Sequence, residues 1–213
     1  MKISILHTSN NHPIKPWLLN WIDTQKNLHE IDLVDTKENL VEGDILFLIS
    51  CSEFISKKER DKFKKTLLIH ASDLPKGRGW SPHIWEILNG AEQIVISLLE
   101  AEDKIDSGDI WKKVKVNISK NALYDEINRD IFIAELKLME FAISNFNNVI
   151  VQKQSNIDST YWPKRTSKES ELNLNKTINE QFDIIRVSDP NRFPAFFYKN
   201  GKKFILKIEV NDE

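Results

Sequence analysis

Cysteine is nearly missing from this chain of 213 residues: Cys51 is the only one. An intramolecular disulfide is therefore excluded, and so is a cysteine-based zinc cluster; no metal is expected. No apolar run is long enough to cross a bilayer, so no membrane partner is expected either. Neither sign of charge dominates, with 30 basic residues against 32 acidic ones. That balance lacks the positive field of a protein whose main partner is a long nucleic acid, and a small substrate is the better reading. Met1 to His7 enters a strand-like pattern without the apolar stretch and cleavage site of a signal peptide, which points to the cytoplasm. Repeats and low-complexity tracts are absent. What is present, 40% hydrophobic and 29% charged residues, suits one main globular domain with room for a small appendage.

Along the chain, strand and helix patterns alternate. Lys2 to His7 reads as a strand that stops at the polar cluster Thr8-Ser9-Asn10-Asn11. Pro16 can open a helix whose Trp17, Leu18, Trp21 and Ile22 share one face. Asp44 to Ser50 is almost continuously apolar, as a strand covered on both faces must be. A charged helical stretch is expected over Lys57 to Lys65, then a buried strand over Thr66 to His70, and a helix over Pro82 to Leu88 closed by Asn89-Gly90. Gln93 to Leu99 and Ile110 to Ile118 supply two more strands. Leu123, Ile127, Ile131, Ala134, Leu138 and Ala142 recur at helical spacing, with Asn121 available as a cap. Beyond Asn147-Asn148 the texture turns polar, with a helical patch at Ile178 to Ile185 and a terminal hairpin turning at Asn200-Gly201. The fold class is α/β: a doubly wound, mostly parallel, Rossmann-type sheet over residues 1–150, with a small C-terminal β-hairpin subdomain over 151–213.

Two segments carry chemistry. In His70-Ala71-Ser72-Asp73-Leu74-Pro75-Lys76-Gly77-Arg78-Gly79-Trp80, a histidine ends a buried strand and a Pro/Gly-rich loop follows, where backbone can approach a ligand. In Glu102 to Ile110, acids and a glycine sit on the loop between two strands, so that a carboxylate could orient the histidine. Each feature has a plainer reading. A lone histidine at a strand end is usually structural, Asp106-Ser107-Gly108 is ordinary turn chemistry, and Trp80, Trp85 and the C-terminal phenylalanines suit packing.

Taken together, the segments resemble the folate-dependent formyltransferases, which carry an Asn-x-His-x-Ser-x-Leu-Pro-x-x-x-Gly pattern and, further on, Asp-x-Gly. His70, Ser72, Leu74, Pro75 and Gly79 match the first, and Asp106 and Gly108 the second. Tyr161 to Thr166 and Arg186 to Phe197 also look like segments that follow the family's catalytic domain. The resemblance implies N10-formyltetrahydrofolate as co-substrate, His70 as donor to the formyl oxygen, and Asp106 as the group that fixes the imidazole tautomer and takes the amine's proton. Leu74, Pro75, Gly79, Ser107 and Gly108 would line the folate site. Arg78, Arg165 and Arg186 would meet the second substrate.

One departure stands out, because the family's asparagine falls on Leu68. Leucine cannot hydrogen-bond an oxyanion, so Asn10 or Asn11, on the loop after the first strand, is expected to supply the missing amide. The tail resembles that of sugar N-formyltransferases of the pseudaminic-acid type, which implies a nucleotide-linked amino sugar as acceptor and leaves a homodimer open. Methionyl-tRNA or another amine as acceptor, hydrolysis of formyl-folate, and a degenerate folate- or nucleotide-binding module are the alternatives.

Overall fold

The computed structural model describes residues 1–155 and 157–211. In chain order its elements are β1 (Lys2–Leu6), α1 (Lys15–Gln25), β2 (Glu30–Val34), β3 (Gly43–Leu48), α2 (Lys57–Arg60), β4 (Phe63–His70), β5 (Arg78–Gly79), α3 (Pro82–Leu88), β6 (Gln93–Glu100) and β7 (Ile110–Asn117). Then follow α4 (Tyr124–Ser144), β8 (Tyr161–Trp162), α5 (Ile178–Arg186), β9 (Ala195–Lys199) and β10 (Lys202–Leu206). Six strands form one sheet in the order β2-β1-β3-β4-β6-β7. The pairings β1–β2, β1–β3 and β3–β4 are parallel, whereas β4–β6 and β6–β7 are antiparallel. The expected mostly parallel α/β sheet is therefore present, with an antiparallel half that begins at the strand carrying His70.

The central strands are apolar on both faces because both are covered. On one face Ile3, Ile5, Ile45, Phe47 and Leu67 pack with Leu18 and Trp21 of α1 and with Ile131 and Leu138 of α4. On the other, Leu6, Leu46 and Phe63 pack with Leu40 and Ile55. Each such side chain removed from water contributes ~1.5–3 kcal/mol, which is what fixes the register.

Several local expectations need correcting. The charged stretch from Lys57 is helical only to Arg60, because Phe63 already turns into the buried start of β4. Asn121 does not cap α4; the N-cap is Leu123, whose N–H is held by the Glu126 carboxylate at 3.0 Å. The edge strand β2 was not expected, and none of its residues is fully buried. The terminal hairpin is present, with Asn200 and Gly201 at φ 52° and 75° as its two-residue turn requires.

Past residue 150 the chain stays hydrogen-bonded to what precedes it. Ile110 and Gln152 exchange both backbone bonds at 2.8 Å, and β8 pairs with β5. Among the described residues, no helix is long and apolar enough to cross a membrane.

Candidate active site

His70 closes β4 at the carboxyl edge of the sheet, and the loop after it is braced from inside. Ser72 Oγ donates to the Lys76 carbonyl at 2.9 Å, while the Ser72 carbonyl accepts from Ser97 Oγ of β6 at 2.7 Å. That bracing puts the Gly77 carbonyl 2.8 Å from His70 Nε2, which donates to it. The other ring nitrogen, Nδ1, faces Asp106 Oδ1 at 3.6 Å, with both side chains about nine-tenths buried. Asp106 is held in turn: its Oδ2 accepts the Gly79 N–H at 2.9 Å. Gly77 therefore orients the imidazole, a part the sequence reading had given to Asp106. A neutral imidazole has one N–H and satisfies one of these two acceptors, whereas the doubly protonated ring satisfies both. At 3.6 Å the contact between Nδ1 and Asp106 is too long for a full hydrogen bond.

Glycine is required at two places around this pair. A Cβ on Gly79 would lie 2.4 Å from the Trp162 carbonyl oxygen, and one on Gly108 would lie 1.9 Å from that of Glu100. Neither backbone approach tolerates a side chain.

Along β4, Leu68 lies two residues before His70 and on the same face. There it packs with Leu74, Leu99 and Ile110, so the site has an apolar floor where the family pattern has an amide. Leu74 belongs to that floor, Pro75 is half-buried beside it, and Ser107 donates to the Lys104 carbonyl at 2.7 Å.

The remaining candidates are more dispersed. Asn10 and Asn11 are exposed, and the Asn10 amide accepts from Lys15 Nζ at 2.8 Å. Among the described residues neither bonds to His70 or Asp106. Arg186 is buried and committed, with Nε on Asp183 at 2.6 Å and Nη1 on the Ser119 carbonyl at 3.1 Å. Arg78 is fully buried and donates from Nη2 to Gln154 Oε1 at 2.8 Å and from Nη1 to Tyr161 Oη at 3.3 Å. Arg165 is half-buried and makes one long bond, from Nη2 to Ser170 Oγ at 3.4 Å, while its Nε is buried without a hydrogen-bond partner.

Sequence reasoning had not singled out His83 or Gln154. Burial, then the charges of His70 and Arg165, push His83 down to about 4, and its Nδ1 is buried without a hydrogen-bond partner. Burial, then Arg192, His7 and His83, push His12 down to about 3. Both rings are thus neutral near pH 7. Nothing local in the sequence marks them, because their meaning comes from neighbours remote in the chain.

A histidine–carboxylate pair at the carboxyl edge of a six-stranded sheet, each partner held by loop backbone, is an arrangement suited to acyl-type transfer. Comparison with known proteins agrees. The family model described as formyl transferase matches residues 9–143, and the chain belongs to that family. A methionyl-tRNA formyltransferase from Finegoldia magna is 25% identical over 191 residues, covering 88% of this chain and 61% of that protein. The chain thus spans about three fifths of the length of the curated relatives it matches. A sugar N-formyltransferase from a Shewanella species superposes with TM-score 0.73 at 16% identity, covering 99% of this chain and 98% of its own. HypX from Aquifex aeolicus, solved in complex with tetrahydrofolic acid, superposes with TM-score 0.78 at 19% identity over 97% of this chain and 37% of its own.

Proposed function

We propose that this protein transfers the formyl group of N10-formyltetrahydrofolate to the amine of a nucleotide-linked amino sugar. The observation that carries the reading is the His70–Asp106 pair, with one ring nitrogen tied to Gly77 and the other open beside a carboxylate. The buried cluster of Leu68, Leu74, Leu99 and Ile110 backs the pair on the side proposed for the folate. HypX, on the same fold, was solved in complex with tetrahydrofolic acid, which supports a folate as co-substrate.

As the amine nitrogen bonds to the formyl carbon, negative charge grows on the formyl oxygen, and His70, protonated on both ring nitrogens so that Nε2–H stays on Gly77, donates its Nδ1–H to it. Asp106 Oδ1 accepts the proton the amine loses, directly or through water. The carbonyl then re-forms, the bond to folate N10 breaks, and N10 leaves with the proton that Asp106 took from the amine. In this reading Asn10 or Asn11 supplies an amide donor from the loop at the same sheet edge, replacing the one lost at Leu68. Gly79, Ser107 and Gly108 shape the folate side.

For the acceptor, Arg165 is the cation with donors to spare, next to His83, and a diphosphate suits it. Arg78 and Arg186 have donors engaged inside the protein, and Arg78 would act by bracing the turn that carries Asp106. The acceptor proposed is a UDP-linked 4-amino-4,6-dideoxy sugar of the pseudaminic-acid type, a choice supported by the resemblance of the tail and by sugar N-formyltransferases among the structural neighbours. Methionyl-tRNA is the second reading, favoured by the names of the sequence relatives. One assay separates them: formyl-folate consumption with UDP-amino sugars, dTDP-amino sugars, methionyl-tRNA, or no acceptor. Turnover with the tRNA alone, or without any acceptor, rejects the sugar reading.

A further inference from the structure

Gln154 lies in a polar loop that the mechanism above does not use, yet its side chain makes three bonds at the site. Its Nε2 donates to the Asp106 carbonyl at 3.0 Å and to the Gly108 carbonyl at 2.8 Å. Its Oε1 accepts from Arg78 Nη2 at 2.8 Å. Since guanidinium only donates, Arg78 fixes which end of the amide faces the turn. Asp106 needs such support, for its φ of 52° lies in the left-handed region.

The turn is gripped on every side. Gly108 abuts the Glu100 carbonyl, and Gly79 N–H holds the Asp106 carboxylate. Residues 78 and 79 thus reach Asp106 twice, through backbone at the carboxylate and through Arg78 and Gln154 at the turn's carbonyls. Gln154 is itself placed by the Ile110–Gln152 bridge two residues earlier, which continues the sheet.

We infer that Gln154, oriented by Arg78, is a positioning residue that sets the direction of the Asp106 carboxylate toward His70. The inference rests on the proposal that Asp106 serves the transfer step. Removing the amide frees the turn, and the carboxylate then samples directions away from His70 Nδ1. Its effect falls on kcat, through the direction of the Asp106 carboxylate.

The test uses Gln154→Met, which keeps the side chain's length and loses its amide, and Gln154→Ala, each alone and with Asp106→Asn. Thermal unfolding checks that each variant folds, and the 15N shifts of the His70 ring report its proton occupancy without reference to turnover. We expect each single variant to lower kcat at least ~10-fold and to shift the His70 Nδ1 resonance, and to cost nothing further once Asp106 is asparagine. Wild-type kcat and unchanged His70 shifts in Gln154→Met overturn the inference, as does an equal added loss in the Asp106→Asn background. If both Gln154 variants fail to fold, the residue holds the fold rather than the carboxylate, and the inference is equally overturned. Wild-type kcat in Asp106→Asn alone sinks instead the reading on which it rests.

Discussion

Gly108 offers a sharp test of how the turn bearing Asp106 is built. In Gly108→Ala the new Cβ would stand 1.9 Å from the Glu100 carbonyl oxygen and 2.7 Å from its carbon, both backbone atoms of β6 that cannot rotate away. Real Cβ contacts stay beyond about 3.0 Å, so the turn must move by roughly 1 Å. A shift of that size takes the Gln154 bonds, at 3.0 and 2.8 Å, and the Gly79–Asp106 bond, at 2.9 Å, past hydrogen-bonding range. Two neutral bonds at ~0.5–1.5 kcal/mol each and one charge-assisted bond at ~1.5–3 kcal/mol put the loss at roughly 3–6 kcal/mol. For a chain of this size that lowers Tm by at least ~6 °C. Turnover should fall ~100-fold, because Asp106 leaves His70. Gly90→Ala is the control: its Cβ meets open space, and only the φ of 87° costs it ~1 kcal/mol, with kcat unchanged. Differential scanning calorimetry and formyl-transfer kinetics on both variants are the assay. A Gly108→Ala protein that melts with the wild type and turns over normally would refute the reasoning.

Other expected outcomes follow from the site. Asp106→Asn keeps an acceptor for the Gly79 N–H but offers His70 Nδ1 an amide, so kcat should drop ~100-fold or more with Tm almost unchanged; His70→Asn should do the same. Alanine at Asn10 and at Asn11, tested singly, should show a ~10- to 1,000-fold fall in kcat for one of the two with folate KM little altered; full kcat in both leaves His70 without an amide from that loop. Burial, then Asp73, pushes the Glu86 carboxyl up from 4.5 to about 7, so the folded state binds its proton more tightly than the unfolded chain. Stability from this group is complete below pH 4.5 and is lost as pH rises through about 7. Glu86→Gln should therefore melt above the wild type at pH 8, with the gain shrinking toward pH 5. A gain that grows on acidification would contradict the assignment.

Sequence alone was most informative where a pattern is local. The apolar run Asp44 to Ser50, the period of α4 and the Asn200-Gly201 turn each encode their structure within a few residues. His70 and Asp106 were legible because each ends or follows a strand in a recognisable motif, and the fold brings the two within 3.6 Å. What holds them was not legible. Gly77 reaches His70 through a loop conformation set by Ser72 and Ser97, and Gln154 comes to the turn from a segment distant in sequence. Arg78, expected at the substrate, is fully buried, and no charge pattern distinguishes a bracing arginine from a binding one. The strand β2 alternates over Glu30-Ile31-Asp32-Leu33, a signal only four residues long.

The central claim, that formyl transfer to an amino sugar runs on His70 and Asp106, is tested most directly by product analysis under matched conditions. Wild-type protein and His70→Asn are incubated with N10-formyltetrahydrofolate and a UDP-linked 4-amino-4,6-dideoxy sugar, and tetrahydrofolate and N-formyl sugar are quantified together. We expect the two products in equal amounts from the wild type and at least ~100-fold less of both from His70→Asn. Tetrahydrofolate without formylated sugar, or equal yields from the two proteins, would contradict it.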